Sequence, residues 1–302
     1  MTYETIEVSP VLNDEQLKSL RFQLLNAAHG RPIKRNTLVL CQGKTKALLL
    51  RSALGEQSQS WALKALGRME MNPIKNSRRG AVKNTAKTGC DLVLGWYLDS
   101  TNPDPLRADS RDNFFLGMRL IPLLQGMEDL MREHLPEYFR FHMQQSLRLV
   151  RPNKELNTLH MMKDPFERQM LERWNHTDYY HFPGTRAFST LTLNHNVIFG
   201  AHDDGNNVEG TLGCLTAVGD YVGGALCFPR LGVSFDLRPG DLLIADTNEE
   251  YHGTCSTIIG DRFSIVASSL FRTKSSCSFW PRAALAAFRS VPTLSHLRFP
   301  CS

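Results

Sequence analysis

The sequence predicts an α+β protein whose first half is mainly helical and whose second half is all β. Two observations carry this. Apolar residues recur at helical spacing through much of the first 150 positions. After about residue 182 the chain breaks into short apolar runs bounded by Gly, Pro and Asp turns. A third observation sets the scale: 302 residues, 42% apolar and 22% charged, allow a sizeable core in one large domain or two small ones.

Taken in order, residues 13–28 (NDEQLKSLRFQLLNAA) read as an amphipathic helix with an Asn/Asp start, Leu17, Leu20, Leu24 and Ala28 sharing one face. TLVLC at 37–41 reads as a short buried strand, and 46–68 as a helix. Residues 72–89 are polar and basic, contain Pro73, Gly80 and Gly89, and read as a loop. Residues 112–135 are apolar at helical spacing. Pro122 is expected to kink or restart that helix, because a proline inside a helix removes a hydrogen bond and clashes. PEYFRFHMQQSL continues from Pro136 as another helix. FSTLTLNHN then alternates, with Thr190, Thr192, Asn194 and Asn196 on one face and Leu191 and Leu193 on the other, the mark of a half-buried strand. GTLGCLTAVGDY, GGALCFPR, GVSFDL, DLLIAD and RFSIVASSLF follow as further short strands, a spacing that indicates a barrel or sandwich. The expected organisation is a helical and basic-loop region over 1–175, a β core over 176–272 and a basic tail over 273–302, packed as one integrated domain.

Composition narrows the function. No run approaches the roughly 18–20 apolar residues of a membrane helix, and MTYETIEVSP has neither the basic nor the apolar region of a secretory signal. Seven scattered cysteines with no CxxC argue for a reducing compartment and against a zinc knuckle or disulfide framework. Positive charge is segregated. Residues 71–90 hold Lys75, Arg78, Arg79, Lys83 and Lys87 and no acid, and 271–302 hold Arg272, Lys274, Arg282, Arg289 and Arg298 and no acid. The chain as a whole is only +5, so the remainder is net acidic. Such segregation suits a polyanion, and charge alone does not choose among RNA, DNA and an acidic membrane surface.

One loop concentrates the chemistry. In NHNVIFGAHDDGNNVEG (194–210), His202 and Asp204 are two residues apart, which on a strand end puts both side chains on one face. His252 follows in NEEYHGT. Two imidazoles and one carboxylate form the facial triad of non-haem Fe(II) oxygenases, leaving coordination positions for a 2-oxo acid and O2. Asp203 is the rival carboxylate, and the HxD spacing favours Asp204. Ten residues past His252, Arg262 and Ser264 share a strand face, a guanidinium fork and a hydroxyl suited to the distal carboxylate of 2-oxoglutarate.

The order TLTLN, HDDGNN, GDYVGGALCFP, LRPGDLLIAD, HGT, GDRFSIV resembles the Fe(II)/2-oxoglutarate dioxygenases, and within them the TET/JBP group that oxidises modified nucleobases, in its compact fungal (Coprinopsis-like) form. The resemblance covers about 175–272 and lacks the cysteine-rich zinc region of animal members. It implies a double-stranded β-helix (jelly-roll) core flanked by N-terminal helices, with Fe(II), 2-oxoglutarate and O2 as cofactors. It implies His202, Asp204 and His252 as iron ligands and catalytic centre, and Arg262 with Ser264 as the 2-oxoglutarate clamp. Asn194 either hydrogen-bonds the oxo acid or closes a turn. Asn206 and Asn207 either read the base edge, an amide offering donor and acceptor alike, or serve the turn. Tyr179, Tyr180, His181 and Arg186 precede the barrel and either hold an extruded base or pack. Tyr221 is expected to cover the pocket, beside a Gly-Gly at 223–224 that permits a tight turn. Phe228 is expected in the core.

The implied substrate is methylated duplex DNA, its base flipped out of the stack at a cost of a few kcal/mol, with Lys75, Arg78, Arg79, Lys83 and Lys87 on the backbone. 5-Methylcytosine is the expected base, oxidised stepwise, and N6-methyladenine, demethylated with release of formaldehyde, is the nearest rival. A hydroxylase of a protein side chain or small molecule on the same barrel is the second class, and a non-enzymatic DNA-binding protein on a retired oxygenase fold the third. A DNA substrate implies a nuclear location. No membrane association is expected, and no protein partner is inferable.

Overall fold

The computed structural model describes residues 1–69, 71–73, 90–99, 102–107, 117–146, 185–205, 207–255 and 257–272. Lys75, Arg78, Arg79, Lys83, Lys87, Tyr179, Tyr180, His181, Asn206 and the tail over 273–302 lie outside them. The architecture is a double-stranded β-helix, two facing sheets with a helical layer on the outer face of the larger one.

The larger sheet is built around β9 (Gly213–Gly223), whose neighbours are β12 (Leu242–Ala245) and β14 (Ile258–Ser268), both antiparallel. On the β14 side follow β8 (Thr190–His195), β6 (Cys90–Asp99) and β15 (Leu270–Arg272). β5 (Asn72–Pro73) and β7 (Asn102–Arg107) also pair with β6. On the β12 side follow β4 (Lys44–Leu50), β3 (Thr37–Cys41) and β1 (Glu4–Val8). The smaller sheet runs β13 (Gly253–Thr254), β10 (Leu226–Phe228), β11 (Val233–Phe235) and β2 (Arg31–Ile33). Met1–Arg272 form a single unit.

Two strands explain the layering. In β4, Leu48 and Leu50 point into one core and Ala47 and Leu49 into another, and β12 does the same with Leu242 and Ile244 against Leu243 and Ala245. Successive side chains on a strand face opposite ways, so a strand buried on both faces reads as a continuous apolar run. The first core is closed by the helices: α2 (Glu56–Leu66) contributes Ala62, Ala65 and Leu66, and α3 (Ile121–His134) contributes Leu124, Met127 and Met131. The second core fills the space between the sheets, with Phe228, Val233 and Phe235 from the smaller one. Phe228 is fully buried, as expected of a core residue.

Two expected helices are corrected. Residues 46–68 are not one helix. The chain is strand β4 to Leu50, turns through Arg51–Gly55, and becomes α2 only at Glu56. The apolar run KALLL carries no period, and its pairing with β3 on one side and β12 on the other decides for strand. The expected helix over 13–28 is shorter. α1 (Asp14–Leu20) starts at Asn13 with a capping box closed by Gln16, and stops because the chain leaves to pair elsewhere. Phe22 takes φ 61° and its N–H donates to the Ala201 carbonyl at 2.7 Å, while Ala201 N–H donates to the Gln23 carbonyl at 2.8 Å. Leu24, expected on the buried face, is exposed. The first 50 residues therefore hold four strands, β1 to β4, which pair into the two sheets.

The prolines act as the sequence suggests. A 3-10 turn at Met118–Leu120 gives way to α3 with Pro122 in its first turn, where a missing N–H costs nothing. Pro136 opens α4 (Pro136–Ser146). None of the described helices is long and apolar enough to cross a membrane.

Candidate active site

The site lies between the sheets, where the Gly200–Asp204 segment meets the loop that joins β12 to β13. His202 and His252 form an isolated antiparallel bridge, each N–H donating to the other's carbonyl at 2.9 and 2.8 Å. That bridge sets the two imidazoles side by side, with ring centroids 4.5 Å apart. Asp204 is seated by its own N–H, which donates to the Thr247 carbonyl at 2.8 Å. Its two carboxylate oxygens lie 3.8 Å from His202 Nε2 and 3.8 Å from His252 Nε2. One ligand atom from each of the three lies within 4.8 Å of the others. Asp203, the rival, is not in this group.

The orientation of both rings follows from their partners. His202 Nδ1 is 2.8 Å from the Gly200 carbonyl and His252 Nδ1 is 3.0 Å from the Glu250 carbonyl. A carbonyl only accepts, so each Nδ1 carries a hydrogen, and each Nε2 is the ring atom on the Asp204 side that a metal could take. Both histidines are buried, with Phe228 5.7 Å from the His252 ring and Phe199 5.5 Å from the His202 ring. Two imidazoles and one carboxylate, partly walled by apolar rings, are a donor set that suits Fe(II).

The triad opens into a cavity of about 80 Å³ whose lining includes Thr192, Asn194, Asn207, Thr216, Arg262 and Ser264. Arg262 is 8% exposed, and burial lowers its pKa, an effect that Tyr221 and Asp236 offset in part. Its guanidinium carbon sits 5.5 Å from the centre of the Tyr221 ring. Gly224 makes room for it: φ is +75°, and a Cβ there would stand 3.0 Å from Arg262 Cδ. Asn194 Nδ2 donates to Ser264 Oγ at 3.3 Å across the β8–β14 pair, in which the two residues are direct partners. Among the described residues, Arg262 Nε and Asn194 Oδ1 are buried without a hydrogen-bond partner. An unpaired buried polar atom costs roughly 1–3 kcal/mol. A small dicarboxylic oxo acid supplies the acceptor that Arg262 Nε lacks, so the residues present fit 2-oxoglutarate.

Other expected contacts fall elsewhere. Tyr221 does not cover the pocket. Its ring backs Arg262 and its hydroxyl donates to the Leu237 carbonyl at 2.6 Å, and burial pushes that phenol up to about 12. Arg186 is exposed and absent from the cavity lining, and its N–H donates to Glu128 Oε2 at 2.6 Å. Asn207 does line the cavity, with Nδ2 3.4 Å from Thr247 Oγ1. Sequence reading missed Thr216, Thr247 and Phe199. Thr216 sits on β9 with an ordinary strand signal, and its hydroxyl donates to the Asp241 carbonyl at 2.7 Å.

The sequence model described as Tet_JBP, oxygenase domain of the 2OGFeDO superfamily, matches residues 106–270, more than half of the chain. The chain belongs to this family. It therefore carries a TET/JBP-type oxygenase domain, of the superfamily that uses Fe(II), 2-oxoglutarate and O2. Among curated proteins it is similar to the bifunctional helicase and thymine dioxygenase JBP2 of Leishmania infantum and Leishmania major, each 33% identical over 102 residues, or 33% of this chain and 9% of the relative. The Leishmania tarentolae counterpart is 36% identical over 76 residues, 25% of this chain and 7% of that protein. The matched stretch thus spans less than a tenth of those relatives. Among solved structures it is similar to NgTET1 in complex with 5mC DNA, at TM-score 0.42 and 12% identity, covering 93% of this chain and all of that one. OsALKBH1 gives TM-score 0.41 and 13% identity, covering 75% and 97%.

Proposed function

We propose that this Tet_JBP dioxygenase oxidises the C5-methyl group of a methylated pyrimidine in DNA, with 5-methylcytosine as the base. The observation that carries the reading is one cavity shared by the His202–Asp204–His252 group and the buried Arg262 with its unpaired Nε. The curated relatives are named as thymine dioxygenases, and thymine and 5-methylcytosine carry the same C5-methyl. That favours a pyrimidine methyl over N6-methyladenine. When bound, iron, 2-oxoglutarate and O2 supply an oxidant that replaces a methyl C–H by C–OH, the oxo acid leaving as succinate and CO2.

The chain's own residues bind and orient. His202, Asp204 and His252 hold the metal on one face. Arg262 pairs with the distal carboxylate, Ser264 and Asn194 add hydrogen bonds, and Tyr221 fixes the guanidinium from behind. Asn207 offers a donor and an acceptor to the edge of a flipped base. Phe199, Phe228 and the leucines of β9 and β10 keep water from the reacting methyl. The base must leave the stack to reach this interior cavity, since it lies between the sheets. The basic segments over 71–90 and 271–302 hold the backbone in this reading, and the DNA substrate carries a nuclear location with it.

Mass spectrometry of duplexes containing 5-methylcytosine, thymine or N6-methyladenine, after incubation with Fe(II), 2-oxoglutarate and the protein, tests this. Hydroxymethylcytosine is expected first, then higher oxidation states. Product confined to thymine would reassign the base. Formaldehyde release from N6-methyladenine would favour the rival, and succinate formed with no change in any DNA would point to another substrate class. His202→Ala/Asp204→Ala should abolish product, and Arg262→Met should raise the KM for 2-oxoglutarate by tenfold or more.

A further inference from the structure

The described residues hold a second cluster of charge, and it does not face the cavity. Lys46 on β4 is 7% exposed, and its ammonium lies 2.7 Å from Asp246 Oδ2, 2.9 Å from Glu250 Oε1 and 3.1 Å from Glu249 Oε2. All three carboxylates belong to the loop between β12 and β13. Glu250 is itself 3% exposed, and its other oxygen stands 3.4 Å from Arg230 Nε, a charge contact without hydrogen-bond geometry. Arg230 reaches on to Asp14 at the start of α1, at 2.7 Å. The Lys46 backbone joins in, its carbonyl accepting from Asp246 N–H at 2.9 Å.

This same loop supplies the backbone groups that orient the metal-competent residues. The Thr247 carbonyl accepts the Asp204 N–H, and the Glu250 carbonyl accepts the Nδ1 hydrogen of His252. Inside the loop, Glu250 N–H donates to the Asp246 carbonyl at 3.2 Å and Glu249 N–H to Asp246 Oδ1 at 3.1 Å. Asp246 and Glu250 are thus tied to each other by backbone and to one cation by side chain, and the carbonyls that position two of the three ligands lie on that tied segment. A buried cation among carboxylates is costly to assemble and far costlier to break on one side, because the partners are left charged without water. Such a cluster specifies one conformation of its loop.

We propose that Lys46 is a positioning residue of the metal centre, acting through Asp246 and Glu250 to hold the loop that orients His252 and seats Asp204. The inference rests on the reading of His202, Asp204 and His252 as metal ligands. It places a determinant of metal affinity at a residue 60 positions before the start of the family match at residue 106. Partners one step removed from the ligands commonly change metal affinity by roughly 10–100-fold when removed.

The test is metal binding to the apoprotein. Mn(II) affinity is read by electron paramagnetic resonance of the free ion, and the ligand field by the visible absorption of bound Co(II). Lys46→Met should weaken Mn(II) at least tenfold and shift the Co(II) bands. Lys46→Arg, which keeps the cation, should come back to within about threefold of the parent. Lys64→Met on the exposed face of α2 should match the parent. Should Lys46→Met fail to fold, Glu250→Gln decides, since it removes charge without stranding a cluster of anions, and a severalfold loss of affinity is expected. Folded Lys46→Met, or folded Glu250→Gln, with parental Mn(II) affinity and an unshifted Co(II) spectrum overturns the inference, even if its melting temperature has fallen. Parent protein that binds no Mn(II), or binds it equally well as His202→Ala, overturns instead the ligand reading beneath it.

Discussion

At the scale of single residues, the imidazoles of the site are set by backbone carbonyls, and a third buried imidazole shows what burial alone does. His142 on α4 accepts the Leu212 N–H at Nε2, at 3.1 Å, and burial pushes its pKa down to about 4 from 6.5. Its folded pKa is depressed, so the neutral form is the one the fold prefers. The stability this contributes is complete above pH 6.5 and is lost as pH falls towards 4, where the unfolded chain takes up a proton that the folded chain refuses. The effect is about 3 kcal/mol across that window. The melting temperature of His142→Gln should therefore vary less between pH 6.5 and 4 than that of the parent, and equal slopes would show that other groups carry the acid sensitivity.

At the scale of elements, β4 is the informative one. Its neighbours β3 and β12 cover both edges, and its faces enter two different cores. A helix over the same residues would bury one stripe and tolerate changes on the other. The strand tolerates neither. Leu48→Ala and Leu49→Ala, adjacent in sequence, should each destabilise by about 2–5 kcal/mol, as buried leucine truncations do. Chemical denaturation of the two variants checks this, and a near-neutral value for either would mean that one face of β4 is not core. β8 is the contrasting case. Leu191 and Leu193 are fully buried on the helical side while Thr192 and Asn194 face the cavity, so one strand serves packing and chemistry on alternate residues.

At the scale of the whole molecule, the family match begins at residue 106, yet the larger sheet continues through β4, β3 and β1, and the smaller one ends on β2. Without the first 69 residues, β12 loses β4 from one edge, both cores lose a wall, and Lys46 is gone. A chain of residues 70–302 should give no cooperative unfolding transition and no saturable Mn(II) binding, whereas the full chain should give both. A truncated chain that melts cooperatively would show that the N-terminal strands are a removable layer.

What the sequence determined by itself was the chemistry and its order along the chain. Arg262 and Ser264 lie within β14, and His202 and His252 form a bridge of extended backbone, where direction repeats every two residues, so spacing predicts which side chains share a face. The alternation of 190–196, the two proline restarts and the turn-bounded strands of the second half are local signals of the same kind. Only the tertiary structure decided the rest. KALLL has no period until two neighbours claim it, and the residues after Leu20 leave their helical pattern because the Ala201 backbone offers them hydrogen bonds. Tyr221, expected over the pocket, supports Arg262, since its hydroxyl donates to the Leu237 carbonyl in the segment after β11. Lys46 and Asp246 stand 200 positions apart and meet at 2.7 Å. Strand pairing and buried charge are settled by partners distant in sequence, and no local pattern names those partners.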